Sequence, residues 1–447
     1  ENVPTKAITM GIGTIFKARE IILMPWNRKK APIVKKAVEG EISSKVPATF
    51  LQQSDKVEFI LDQDAASELT RFNIPWLVRD CVWDEDLIKK AVIWLSNTLN
   101  KPILKLVEED YNNNGMAQLA TEKGPVYDIN IRIFNLIQHT ITGWPGGKPN
   151  ADDSQRPERA YPSVKRCVIF SPHPDDDVIS MGGTFMRLVD QGHEVHVAYQ
   201  TSGNTAVWDD DALRYVEFVL DFTKSIGCDS AVLDSLYTTM REFIEAKHPN
   251  QPDIAELQIV KGLIRKGEAI AGARFAGLPD ENIHFMALPF YERAKTEKTA
   301  NYEDDIRITM KLLQQIRPHQ VYTAGDFADP HGTHKHCFDI VLEALKRLKS
   351  SEEWVKDCWI WLYRGAWQEF DIHEIEMAVP LSPKQVVKKR HAIFKHQSQK
   401  DHPVFPGEDK REFWVRAEER TSQTARAYDK LGMAEYEAIE GFVRYRF

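Results

Sequence analysis

The chain has 447 residues, 43% hydrophobic and 28% charged, with a formal net charge of -8. These proportions exclude a disordered or fibrous chain, and the length allows two or three domains, each with its own core. Lysine and arginine are scattered and form no basic block, which argues against nucleic acid or an anionic membrane as the main partner. A small molecule is the expected partner, and a homo-oligomer stays open.

Five cysteines (Cys81, Cys167, Cys228, Cys337 and Cys358) lie far apart without a CxxC. Neither a disulfide framework nor a thiolate zinc site is expected, and a reducing cytoplasm fits. No apolar run approaches the roughly 20 residues of a spanning helix, and no signal-peptide profile opens the chain. A soluble, cytoplasmic protein is the expectation. The chain begins with Glu1 and enters a Gly-rich segment at once, so the natural start is expected further upstream.

In chain order, Ala7 to Ile12 and Ala18 to Met24 are largely apolar runs, Ala31 to Glu39 has helical spacing, Val57 to Leu61 alternates like a strand, and Asp64 to Arg71 suits a short helix. Strands alternating with helices imply a parallel sheet. Asp84 to Leu106 and Asn130 to Thr142 read as helices around the polar stretch Glu108 to Lys123. Turn formers crowd Gly143 to Pro157, which marks a domain boundary. Beyond it, strand Arg166 to Phe170, helix Val178 to Gln191 and strand Glu194 to Tyr199 make a βαβ unit. Further strands are expected at Ile283 to Leu288, Gln320 to Ala324 and Cys358 to Tyr363, with helices at Leu213 to Ile226, Asp304 to Ile316 and Phe338 to Lys349. The expected fold is α/β, a Rossmann-like, mostly parallel sheet flanked by helices. The expected segments are 1–75, a helical connection 76–158, and 159–447 with a helical C-terminal extension.

The chemistry concentrates at Ser171-Pro172-His173-Pro174-Asp175-Asp176-Asp177, directly after the first strand of the βαβ unit. The carboxyl end of such a strand is where open α/β sheets receive ligands. Imidazole and carboxylate suit zinc and other first-row divalent metals, and a catalytic site needs three protein ligands plus an open position. His173 and Asp176 can supply two. A third is expected from Gly325 to His336, which follows another strand and carries His331 and His334 three residues apart. Adjacent acids after a strand also suit a helix N-terminus, whose dipole favours them. A second strand-end cluster with complementary ligands makes the metal reading the stronger one.

These two motifs resemble the LmbE-like or PIG-L-like family of N-acetylglucosaminyl deacetylases. Gly182-Gly183-Thr184, Thr201-Ser202-Gly203 and His396-Gln397-Ser398-Gln399 look like further family features, and the resemblance covers about residues 163–400. It implies that His173, Asp176 and His334 bind Zn2+ and that Asp175 is the general base. It implies that His331 is the general acid or oxyanion partner. Two positions depart from the family pattern: Asp177 stands where Glu is common, and the distant motif reads His-Gly-Thr-His where His-Pro-Asp-His is frequent. His336 is expected on a helix surface and His193 in a structural role. Trp208, Arg241, Tyr363, Arg364 and Trp367 suit packing or surface at least as well as a pocket.

Residues 5–75 resemble the C-terminal part of glucosamine-6-phosphate deaminase, through Lys6 to Thr14, Ala18-Arg19-Glu20, and Lys30 ahead of Ala37 to Gly40. The resemblance implies a sugar-phosphate contact for Lys30. The deaminase acid-base segment is not among the matched residues, so deamination is not expected of this chain. Together the resemblances imply a deacetylase acting on N-acetylglucosamine or its 6-phosphate. The alternatives are a catalytically silent sugar-phosphate sensor or scaffold, and an amidohydrolase for another acylated amino-sugar conjugate.

Overall fold

The computed structural model describes residues 8–149, 162–248, 251–292, 302–327, 332–365, 368–401, 404–405, 409 and 411–447. By its internal contacts the chain forms two compact units, Glu1–Asn135 and Leu136–Phe447. The division falls inside the helix Val126–Gln138.

In the first unit, β1 (Ile21–Leu23) pairs in parallel with β2 (Val57–Phe59). The helix Ala31–Glu39 has Pro32 in its first turn, where a missing N–H costs nothing. Its Val34 joins Ala65, Ala66 and Leu69 in a small apolar cluster. Asp64 to Arg71, expected as one helix, is two single turns, Gln63–Ala66 and Thr70–Asn73. Asp84 caps the helix Glu85–Leu99 by accepting from the Leu87 N–H at 2.8 Å. That helix stops earlier than the expected Leu106, because Asn100 adopts the left-handed conformation at φ 48°.

The second unit is built on seven strands: β3 (Arg166–Ser171), β4 (Glu194–Tyr199), β5 (Ile283–Phe285), β6 (Gln320–Ala324), β7 (Trp359–Tyr363), β8 (Met377–Leu381) and β9 (Ala438–Tyr445). Their order in the sheet is β5-β4-β3-β6-β7-β9-β8. The first five run parallel, and β9 is antiparallel to both β7 and β8. The α/β class and mostly parallel sheet are therefore as expected. The C-terminal extension is not simply helical, since β8 and β9 complete the sheet.

Alternation along β3 shows why helices cover both faces. Cys167 and Ile169 pack with Phe185 and Leu188 of the helix Asp176–Asp190, while Val168 and Phe170 pack with Val341 and Leu345 of the helix Thr333–Lys349. Three helices, Asp209–Ser225, Ala231–Ala246 and Ala255–Ala276, carry a separate core that includes Val216, Met240 and Ile264. β5 ends at Phe285, short of the expected Leu288, with Ala287 at a positive φ of 46°. Among the described residues, no helix is long and apolar enough to cross a membrane.

Candidate metal centre

Pro172 and Pro174 have no N–H to extend the β3 ladder, so the chain turns at once into the helix Asp176–Asp190. Ser171 fastens this turn. Its Oγ donates to the His173 carbonyl at 2.5 Å and accepts from the Asp177 N–H at 3.2 Å. The His173 N–H donates to Asp176 Oδ2 at 2.9 Å. On the adjacent strand, β6 leads to Asp326, and Gly332 at φ 71° lets the chain start the helix Thr333–Lys349. His334 then occupies the second position of that helix.

The two strand ends converge. His173, Asp176 and His334 each offer a ligand atom, all within 4.8 Å of one another. His173 Nδ1 and His334 Nε2 both lie 3.2 Å from Asp176 Oδ2. His334 Nδ1 is 2.9 Å from the Asp326 carbonyl, which accepts its proton and leaves Nε2 as the nitrogen that faces Asp176. Metal-ligating histidines are commonly oriented in this way by a backbone carbonyl.

The electrostatics sort the three aspartates. Burial raises Asp176, but the His334 and His173 imidazoles outweigh it and hold the carboxyl well below its ordinary range. Asp175 is raised by burial, against the pull of Arg265, whose Nη2 lies 2.9 Å from Asp175 Oδ1. Asp177 is pushed by burial to about 7, although the Tyr199 hydroxyl donates to it at 3.0 Å. A cavity of about 70 Å³ is lined by His173 and Asp176 of the triad together with Asp175, Arg265 and Tyr291.

Of the residues singled out in the sequence, His173, Asp175, Asp176 and His334 come together. His331 and Trp367 lie outside the described residues. Lys30 belongs to the first unit, exposed at the N-cap of the helix Ala31–Glu39. His336 is exposed and stacks on Tyr302, and His193 is buried, its Nδ1 accepting from the Lys165 N–H at 3.1 Å. The Tyr363 hydroxyl donates to the Phe170 carbonyl inside the sheet, Arg364 lies over Phe370, and Arg241 pairs with Glu245 at the surface. Trp208 lines a cavity of about 280 Å³.

Sequence reasoning missed Arg265 and Tyr291. Arg265 sits in the middle of a long helix among other charged residues and is 90 positions from Asp175, so nothing local distinguishes it from a surface arginine. Tyr291 hydrogen-bonds Thr205 at 2.9 Å and edges His173 with ring centroids 6.4 Å apart. The smaller motifs serve as supports. Thr201 donates to the Pro172 carbonyl, Ser202 bonds Glu292 through both N and Oγ, and Gly203 leaves room for Pro174.

Residues 168–345 match the PIG-L family, GlcNAc-PI de-N-acetylase. A glucosamine-6-phosphate deaminase-like protein of Bacteroides thetaiotaomicron is 49% identical over 447 residues, which are 100% of this chain and 67% of the relative. The chain belongs to the family of that protein.

Glucosamine-6-phosphate deaminases of Rhodopirellula baltica and Bacillus cereus are 48% identical over 71 residues and 51% over 67. Those matches take up 16% and 15% of this chain, which spans only about a quarter of the deaminases, 28% and 26%. Among solved structures, N,N'-diacetylchitobiose deacetylase of Pyrococcus horikoshii is similar over 63% of this chain and 84% of its own, at 19% identity and a TM-score of 0.40. A 4-carboxy-2-hydroxymuconate hydratase of Pseudomonas putida is similar over 64% and 97%, at 16% identity and a TM-score of 0.39.

Proposed function

We propose that this chain is a metal-dependent amidohydrolase that removes the N-acetyl group from an amino sugar, N-acetylglucosamine or its 6-phosphate. The observation that carries the reading is the triad: two imidazole nitrogens aimed at one carboxylate oxygen, with His334 oriented from behind by the Asp326 carbonyl. His173, Asp176 and His334 would hold the ion. Zinc suits the donor set, as do other first-row divalent metals. When bound, such an ion polarises the amide carbonyl and acidifies a neighbouring water towards a pKa of roughly 7.

The remaining work falls to the chain's own groups. Asp175 takes the proton of the attacking water, and Arg265 holds its carboxylate in place. His331 donates either a proton to the departing amine or a hydrogen bond to the oxyanion, the two roles implied by the family resemblance. In a protein as long as the relative, the deaminase-like segment, with Lys30 at its phosphate contact, would act on the 6-phosphate of the deacetylated sugar.

Acetate release from N-acetyl sugars, phosphorylated and unphosphorylated, tests the reading in protein of measured metal content. Release that Asp175→Ala abolishes is expected. No release from any N-acetyl sugar by metal-loaded protein would sink it.

A further inference from the structure

The cavity at the triad is too small for a sugar. About 70 Å³ holds roughly two waters at about 30 Å³ each. An acetamide that reaches the triad leaves the rest of its saccharide outside this cavity.

A cavity of about 280 Å³ is lined by neighbours in sequence of residues that line the first. Ala206, Arg265 and Gln399 line the first cavity, while Trp208, Glu268 and Ser398, close by on the same three segments, line the second. Hydrogen bonds hold these segments in register with one another. Gln399 Nε2 donates to the Ala206 carbonyl at 2.5 Å, and Ser398 donates to Glu268 through both N and Oγ at 2.7 Å.

The second cavity sits near the lower end of small-molecule sites, which span about 300–1,000 Å³. Trp208 offers a flat ring for the apolar face of a pyranose. Glu268, Asp211 and Asp401 offer acceptors for hydroxyl hydrogens. An ionised carboxylate has about four acceptor positions, and the hydrogen bonds named above occupy two on Glu268.

Three carboxylates face one guanidinium in these walls, and Arg214 already pairs with Asp211 at 2.9 Å. Asp401 has Lys400 at 3.2 Å, outside the lining. A phosphate dianion there would meet like charge. The larger groove of about 580 Å³ is walled by Leu236, Val260 and Leu263 and offers fewer partners for hydroxyls.

We infer that this cavity is the saccharide subsite beside the metal centre, and that it selects an uncharged, hydroxyl-bearing N-acetylated sugar over its phosphate ester. The inference rests on the deacetylase reading and narrows its substrate class.

Equilibrium binding of the full chain to the methyl glycoside of N-acetylglucosamine and to N-acetylglucosamine 6-phosphate tests it, with acetate release followed on the same samples. The neutral glycoside is expected to bind tighter by about tenfold or more, and Asp211→Asn should narrow that ratio. Trp208→Ala should weaken the neutral sugar. Equal or tighter binding of the phosphate ester overturns the inference, as does absent binding of the glycoside or indifference to Trp208→Ala. The two readings fail separately: the binding pattern without acetate removes the hydrolase and keeps the subsite, whereas acetate release with the phosphate preferred does the reverse.

Discussion

Lys389→Met is expected to destabilise the unit Leu136–Phe447 by about 3–5 kcal/mol, the usual cost of leaving a buried ion without its partner. The reason begins at Met181, where φ -132° and ψ 24° break the helix Asp176–Asp190. Past that kink the Gly183 and Thr184 N–H groups donate to Glu440 at 3.0 and 2.6 Å. The Thr184 hydroxyl adds a third bond at 2.6 Å. Lys389 Nζ lies 2.7 Å from Glu440 and 3.4 Å from the Ser180 carbonyl, with the two side chains 2% and 1% exposed.

Methionine would fill the volume but leave Glu440 charged and buried. Lys389→Met with Glu440→Gln removes both charges while an amide oxygen still accepts from the backbone. The double variant should therefore regain about 1–2 kcal/mol over the single one. Urea unfolding of the full chain, followed by near-UV circular dichroism, gives both differences. A single variant within about 0.5 kcal/mol of the parent, or a double variant less stable than the single one, refutes the reasoning.

Other expectations follow from the same geometry. His334→Ala should weaken zinc binding by about 100-fold or more, beyond the 10–100-fold typical of outer-shell losses; unchanged zinc content after dialysis, read by elemental analysis, speaks against the triad. Arg265→Ala should lower kcat/KM for acetate release by about 100-fold through misplacement of Asp175, with metal content intact. An unaltered rate would show that the ion pair has no part in positioning the base. Burial lowers His193 and His319 from 6.5 to about 4, and each accepts a backbone N–H, from Lys165 and Arg166. The unfolded chain takes up these protons first, so this stability is full above pH 6.5 and is lost as pH falls through 4. The urea midpoint should drop over that window, and a midpoint that rises on acidification contradicts the assignment.

The parts legible in the sequence were those with an uninterrupted period. β4, β6 and the helix Ala31–Glu39 match their expected limits. The helix Ala255–Ala276 was not read because Lys261, Arg265 and Glu268 are buried in it, and their charges erase the apolar stripe. β8 contains Pro380, which demotes a strand, and β9 holds buried Glu440 next to Gly441, a pair that reads as a turn. In the site, the metal-competent residues were legible because each cluster is contiguous. Arg265 and Tyr291 arrive from distant segments that carry no local signature.

Buried charge joins these observations. Asp175, Asp176 and Asp177 are 6%, 4% and 0% exposed, and Arg265 supplies a single guanidinium to the first of them. Carboxylates so removed from water need a proton or a cation each. Asp177, raised by burial to about 7, meets the need in part by protonation and in part by the Tyr199 hydroxyl. Asp176 is held ionised between two imidazoles, so its compensation must be positive charge at the point where their nitrogens meet its Oδ2. A divalent ion there would settle all three ligands at once, whereas a proton shared by two histidines can neutralise only part of the cluster. The order of aspartates after β3 thus divides three like groups into one paired with arginine, one held between two imidazoles and one whose carboxyl burial raises to about 7.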